Sequence, residues 1–172
     1  MYFGPMPFAI HELVYRAVEA ASVRPQGIQL PTAVPCRRRK CNGYLTVLTL
    51  DDTIEWCCPE CDDSGSISSW KGGDSDLSEF ADNDLDKPRV EALLSPYEYA
   101  LFNLPCGATL HAPRLVASAV YERGRIVLRG SSDEFGNLKT GIAEDLPYIK
   151  GQKKRVLNDL IGYLSVLEVV QQ

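Results

Sequence analysis

The sequence predicts an α+β fold that combines a small β-hairpin module with a C-terminal unit of β-hairpin and helices. Three observations support this class. Residues typical of strands dominate 44–57. Apolar residues recur at helical spacing in 7–22 and again in 152–169. Two capping boxes mark further helix starts, and a chain of 172 residues is long enough for one domain or two small ones.

The first predicted element is a helix over residues 7–22, which is apolar on one side and charged on the other. Pro25 and Gly27 end it. Residues 28–34 follow as an extended segment.

A β-rich module comes next. Residues 44–50 and 53–57 read as strands, and Asp51-Asp52 between them predicts a hairpin turn. A third short strand is expected over 66–70.

The C-terminal half begins with the sequence SPYE at 95–98, a capping box with proline at the first helical position. Residues 114–129 read as two strands joined at Arg123-Gly124. A second capping box at Ser131 starts a helix that ends before Pro147, and the last helix spans 152–169.

Charge is unevenly distributed along a chain whose formal net charge is -5. Residues 1–50 hold six basic and two acidic residues, residues 51–92 hold three and thirteen, and residues 93–172 hold nine and eight. The acidic run therefore reads as a solvated linker over 73–88. A local basic patch escapes the argument that an acidic chain disfavours nucleic acids.

The N-terminal region lacks a basic stretch, and His11, Glu12 and Arg16 interrupt its apolar residues, which disfavours a signal peptide. No apolar run approaches the roughly 20 residues of a membrane helix. We therefore expect a cytoplasmic protein with no membrane association, in which cysteines are thiols or metal ligands.

Four of the six cysteines have metal-ligand spacing. Cys36 and Cys41 are separated by four residues, sixteen residues follow, and Cys58 and Cys61 are separated by two. Two turns that each offer two thiolates match the tetrahedral preference of Zn²⁺. Gly43 is expected to give the first turn backbone flexibility.

Residues 34–70, with CRRRKCNG and IEWCCPEC, resemble a zinc ribbon of the rubredoxin-like kind. The resemblance implies two cysteine knuckles joined by a β-hairpin. Its second knuckle has the CPxC pattern, whereas its first has four residues between the cysteines where the common form has two. Four thiolates would fill the coordination sphere, so the zinc should be structural. Iron in a redox site is the less favoured alternative.

Cys57 competes with Cys58 as a ligand. In an extended strand, Trp56 and Cys58 share a face and Cys57 lies on the other. Using Cys57 would also lose the proline turn, so we prefer Cys58.

The residues between the first two cysteines are all basic: Arg37, Arg38, Arg39 and Lys40. Three interpretations stay open: contact with phosphates of RNA or DNA, contact with an acidic surface of a partner or of the 74–86 segment, and simple solvation. Tyr44 and Trp70 are nearby aromatic residues that could stack on bases, although such residues are more often part of the ribbon core.

A second basic cluster stands at the start of the last helix: Lys150, Lys153, Lys154 and Arg155. An anion there would relieve the repulsion between these cations and the helix dipole, although a solvated face is the simpler interpretation. Cys106 and His111 supply residue types for thiol chemistry but no catalytic motif, so Cys106 reads as a small buried residue.

The sequence thus divides into an N-terminal helix and extended segment (1–33), a zinc ribbon (34–72), the acidic linker (73–88) and a C-terminal α+β unit (89–172). The favoured function is a non-catalytic interaction protein that presents its basic knuckle to a nucleic acid or an acidic protein surface. The alternatives are an enzyme or accessory subunit with its active site in the C-terminal unit and, more weakly, a toxin–antitoxin or plasmid-type regulatory component.

Overall fold

The structure is a computed structural model that describes residues 10–81, 89–101 and 110–169. Its helices and antiparallel sheets confirm the predicted α+β class. The chain forms two compact units: unit 1 comprises Met1–Asn83 and Ala117–Tyr121, and unit 2 comprises Asp84–Val116 and Glu122–Gln172. Within the described ranges, no helix has both the length and the apolar character that crossing a membrane requires.

One helix and a four-stranded antiparallel sheet form most of unit 1. The sheet is a meander in the order β1-β2-β3-β4. Its elements are α1 (Ile10–Ser22), β1 (Gln29–Pro35), β2 (Tyr44–Leu50), β3 (Thr53–Cys57), β4 (Ser64–Ser68) and a 3₁₀ turn (Ser78–Phe80). Alternate residues of β2 and β3 are buried, so one face of the sheet carries the core, and α1 contacts β1, β2 and β3.

The hairpin between β2 and β3 is the predicted one. Leu50 pairs with Thr53, and the backbone turns through Asp51, whose φ is 46°. Aspartate tolerates this left-handed conformation better than most residues. Because successive strands reverse direction, the β1–β2 and β3–β4 connections both lie at the opposite end of the sheet from this turn.

Unit 2 and the segment around its boundary contain the remaining elements: β5 (Val90–Leu94), α2 (Pro96–Ala100), α3 (Pro113–Ala117), β6 (Val120–Glu122), β7 (Arg125–Gly130), α4 (Ser132–Asp145), a 3₁₀ turn (Leu146–Tyr148) and α5 (Gly151–Val169). The second sheet has the strand order β5-β7-β6. Helix α5 contacts both α4 and β5.

Both predicted capping boxes are present. The Ser95 hydroxyl accepts the amide of Glu98 at 3.2 Å, and the Ser131 hydroxyl accepts the amide of Glu134 at 3.3 Å. Each glutamate carboxylate in turn accepts a hydrogen bond from the serine amide, so both helices begin where the sequence predicts.

The prediction of two strands over 114–129 is wrong in its first half. Residues Pro113–Ala117 form a short helix, and strand pairing starts only at Val120. Pro113 fits the first helical position. Leu115 and Val116 are both buried, which the alternating faces of a strand would not allow on a one-sided sheet. The predicted turn at Arg123-Gly124 is present.

Two further differences concern strands. Strand β5 was not predicted. Its buried positions are Val90, Ala92 and Leu94, but the exposed Leu93 is also apolar, so the sequence does not alternate cleanly between apolar and polar residues. The strand expected over 66–70 lies at Ser64–Ser68 instead, in register with β3.

The first part of the presumed linker is anchored to unit 1. The Asp76 carboxylate accepts the amides of Gly72 at 2.8 Å and Ser78 at 2.9 Å. The amide of Leu77 donates to the Ser22 hydroxyl at the end of α1, at 3.0 Å. Residues 82–88 lie outside the described ranges.

Candidate metal centre

Two loops at one end of the four-stranded sheet carry the cysteines. Residues 36–43 connect β1 to β2 and form the first knuckle; residues 58–63 connect β3 to β4 and form the second. The β2–β3 hairpin joins them, as the resemblance implied. The meander therefore brings two pairs of cysteines together that are far apart in sequence.

The four sulfur atoms lie at separations that suit one metal ion. The Cys36 and Cys61 sulfurs are 3.6 Å apart, as are those of Cys41 and Cys58, and all four lie within 4.8 Å of one another. A tetrahedral ion with metal–sulfur bonds of about 2.3 Å requires sulfurs about 3.8 Å apart. A disulfide would need about 2.0 Å. The four cysteines can therefore bind a metal ion.

Each sulfur accepts a backbone amide two residues further along the chain. The amides of Arg38 and Gly43 donate to Cys36 and Cys41, both at 3.4 Å. Those of Glu60 and Asp63 donate to the other two sulfurs. Such donors stabilise thiolates, so both knuckles are prepared for negative charge.

Both knuckles close in the same way despite their different lengths. The Cys36 amide donates to the Gly43 carbonyl at 2.8 Å, and the Cys58 amide donates to the Asp63 carbonyl at 2.8 Å. The longer first knuckle turns at Lys40, whose φ is 71°. Its two extra residues are thus accommodated without displacing the sulfurs.

Gly43 is required for space and not for the flexibility that the sequence suggested. A Cβ atom at this position would lie 2.7 Å from the Cys58 sulfur and 2.7 Å from Glu60 Cγ. Since neither distance is tolerable, the first knuckle can approach the second this closely only with glycine here.

Cys57 lies away from the sulfur cluster, on the other face of β3. Its sulfur is 3.0 Å from the Thr46 hydroxyl and accepts the Gln29 side-chain amide at 3.2 Å. Trp56, on the same face as Cys58, is buried in the core beside the knuckles, with the Arg37 guanidinium 5.8 Å from its ring centroid.

The thiols differ in how readily they lose a proton. Burial raises the pKa of the Cys36 thiol and that of the Cys58 thiol. The Asp63 amide lowers the pKa of the Cys61 thiol. Cys36 and Cys58 are therefore the thiols whose deprotonation a bound cation would favour most.

Two of the four basic side chains of the first knuckle form ion pairs with a residue of the second knuckle. Arg37 Nε lies 3.1 Å from one oxygen of Asp63, and Arg38 Nε lies 3.3 Å from the other. The Asp63 side chain is only 7% exposed. The acidic partner is therefore the residue that closes the second knuckle, and this pair of contacts links the two knuckles independently of a metal.

Arg39 and Lys40 are exposed, and neither forms an ion pair with any residue in the described parts of the chain. They border a groove of about 760 Å³ whose lining also includes Tyr44 and Tyr121. The two tyrosine rings stack with centroids 4.0 Å apart and planes 16° from parallel. Tyr121 could not be anticipated, because it is distant in sequence and no local pattern marks it. Trp70 is instead buried in the core.

The second basic cluster is exposed at the start of α5: Lys150 directly precedes the helix, and Lys153, Lys154 and Arg155 lie in its first turns. Its geometry matches a solvated face. His111 Nε2 lies 2.9 Å from a carboxylate oxygen of Glu144, and Cys106 lies outside the described ranges.

The chain matches no protein-family model, no curated protein and no solved structure.

Proposed function

We propose that the four cysteines hold a structural Zn²⁺ ion, and that the closed ribbon presents its basic knuckle to an anionic partner as a non-catalytic interaction module. The observation that carries this proposal is the sulfur cluster: four sulfurs at near-tetrahedral separations, each with its own amide donor.

Zinc is the ion that this donor set favours. Thiolates are soft ligands, and four of them in a tetrahedral arrangement are typical of structural zinc. No coordination position remains for water or substrate, which argues against metal catalysis at this centre. Thiolate ligands require reduced cysteines, which supports a reducing compartment such as the cytoplasm as part of this proposal.

The basic knuckle can present cations to a partner because its four basic side chains fall into two pairs with different surroundings. Arg37 and Arg38 are drawn toward Asp63, whereas Arg39 and Lys40 point outward from the same loop. A nucleic acid and an acidic protein surface both offer anions to this outer pair. For the enzyme and regulatory alternatives we find no supporting observation in the described ranges.

Zinc content tests the metal half of the proposal. Protein purified without added metal should carry about one equivalent of zinc, as expected for a four-thiolate site. Cys58→Ser should lose the zinc. The matched variant Cys57→Ser should keep it, because Cys57 lies outside the cluster. Less than about half an equivalent in the wild type, with four reactive thiols, would rule out the site.

Salt-dependent retention on heparin tests the display half. Replacing Arg39 and Lys40 with alanine should lower the salt concentration that elutes the protein, because the outer cations contact the polyanion. Replacing Lys153 and Lys154 is the matched control, since it removes the same number of exposed cations from α5. Equal shifts for both pairs would mean that the knuckle has no special role.

A further inference from the structure

We propose that the groove beside the basic knuckle binds single-stranded nucleic acid, with phosphates along Arg39 and Lys40 and a base against the tyrosine pair of Tyr44 and Tyr121. This inference rests on the proposed function and names the chemistry of the anionic partner.

The groove is formed by segments that only the folded ribbon brings together. The first knuckle and the start of β2 supply Arg39, Lys40 and Tyr44, the second knuckle supplies Glu60, and Tyr121 comes from β6. All of these residues belong to unit 1. Its volume of about 760 Å³ falls within the roughly 300–1,000 Å³ typical of ligand sites.

The charge of the lining favours an anionic chain. Arg38, Arg39 and Lys40 contribute cations, and Glu60 is the carboxylate among the lining residues. Cys41 and Cys61 also line the groove, so these cations lie beside the negative charge of the proposed four-thiolate centre. Arg38 is partly neutralised by Asp63, so Arg39 and Lys40 are the side chains best placed for phosphates. Asn42, between the cations and Tyr44, adds an amide that can donate and accept hydrogen bonds.

The tyrosine pair distinguishes a nucleic acid from other polyanions. Both rings line the groove and are only partly buried, and their stacking holds them in one orientation. Any base can stack on such a ring, and Arg or Lys beside aromatic residues is the usual composition of sites for single strands. An acidic peptide could use the cations but would gain little from the rings.

A single strand fits this composition better than a duplex. In a duplex the bases are already stacked, and only an unpaired base can turn its face to a side chain. DNA and RNA share the phosphates and bases that the groove would contact. Oligothymidine and oligouridine probes would show which of them binds more tightly.

The experiment measures fluorescence anisotropy of labelled oligothymidine and oligouridine strands of about 12 nucleotides, with an abasic strand of the same length as comparison. We expect the abasic strand to bind about 5- to 150-fold more weakly, since this is the range that stacking of one base contributes. Polyglutamate and duplex DNA should compete poorly. This comparison needs no variant and so does not depend on a variant's folding.

Variants of Tyr121 then locate the effect. Tyr121→Leu should lose about the same factor in affinity for the base-bearing strands but not for the abasic strand. Tyr121→Phe should retain binding, because it preserves the ring. Tyr148→Leu is the matched control, since Tyr148 is 85% exposed and does not line the groove. Zinc content and tryptophan emission verify that each variant is folded.

The outcomes separate the two proposals. Equal affinity for abasic and base-bearing strands, or a preference for duplex DNA or polyglutamate, would overturn the single-strand inference and leave the zinc-stabilised basic module intact. If replacing Arg39 and Lys40 with alanine does not lower the salt concentration that elutes the protein from heparin, the proposed display role of the module is itself overturned.

Discussion

The two units of this chain show different ways of holding a fold together. In unit 1 the buried cluster includes Cys36 and Cys58, so part of its core is also the candidate metal site. Among the described residues of unit 2 the largest fully buried side chains are hydrocarbon, including Phe135, Leu138 and Ile142 of α4, and two capping boxes fix the starts of helices. Unit 1 should therefore depend on an ion, whereas unit 2 should depend on apolar packing and helix capping.

Metal removal should give the largest difference between the units. Structural zinc sites contribute an apparent binding free energy on the order of 10–16 kcal/mol, which here would stabilise unit 1 and not unit 2. Both tryptophans of the chain, Trp56 and Trp70, are buried in unit 1 and so report on that unit alone. On chelation, we expect their emission to shift to the red, while the far-ultraviolet helix signal of unit 2 is retained.

Adding zinc back should restore the emission. Unchanged tryptophan emission in protein shown to be free of metal would mean that the ribbon holds its structure by packing alone, and the contrast between the units would be lost.

Phe135→Ala should give the converse result, with the second-largest effect. Phe135 is fully buried in α4, and such a truncation costs about 3–5 kcal/mol. Thermal melting followed by helix circular dichroism should move to lower temperature, while zinc content stays the same. Phe80→Ala is the control, because Phe80 is 44% exposed and its loss should change stability by about 0.5 kcal/mol at most. A loss of zinc from Phe135→Ala would argue against separate sources of stability.

A pair of glycine substitutions sharpens the comparison at smaller scale. Gly43→Ala forces a methyl group against the Cys58 sulfur and should cost about 1–3 kcal/mol, measured as weaker zinc binding in competition with a chelator. Gly162→Ala in α5 meets no atom within 4 Å and should instead stabilise unit 2 by up to about 1 kcal/mol. If Gly43→Ala binds zinc normally, the close approach of the knuckles is not required.

A further effect should come from pH. Burial and the neighbouring Tyr121 raise the pKa of Tyr44 from 10.0 to about 12, so the folded state holds this phenol neutral. The unfolded chain loses the proton first, and the related stabilisation, complete below pH 10, should disappear as pH rises toward 12. Urea unfolding across this range should show a shallower decline for Tyr44→Phe than for the wild type. Parallel declines would assign the pH dependence to other groups.

The sequence could predict two kinds of feature. One kind has its cause within a few neighbouring residues, and the other depends on a spacing of residues that few structures can accommodate. The capping boxes at Ser95 and Ser131 are complete within four residues each. The separation of Cys41 from Cys58 fits a hairpin, and that hairpin is present.

The features that sequence could not predict depend on contacts between distant segments. Asp63 as the partner of Arg37 requires both knuckles to be folded, and Tyr121 reaches Tyr44 across 77 positions of the chain. A helix forms at Pro113–Ala117 where a strand was predicted, and it buries two adjacent apolar residues, Leu115 and Val116. Such burial is a property of the assembled core and leaves no periodic pattern over five residues.

The buried carboxylate of Asp63 makes the distribution of charge in the basic knuckle uneven. Two of the loop's four positive charges lie against a negative charge at its base, and the remaining two stand at its outer edge. Under the proposed function, an approaching polyanion would therefore meet a field that is strongest at the outer edge of the loop and not spread along it. Such focusing steers a diffusing molecule into a preferred orientation before any contact forms, and it accelerates association most at low ionic strength.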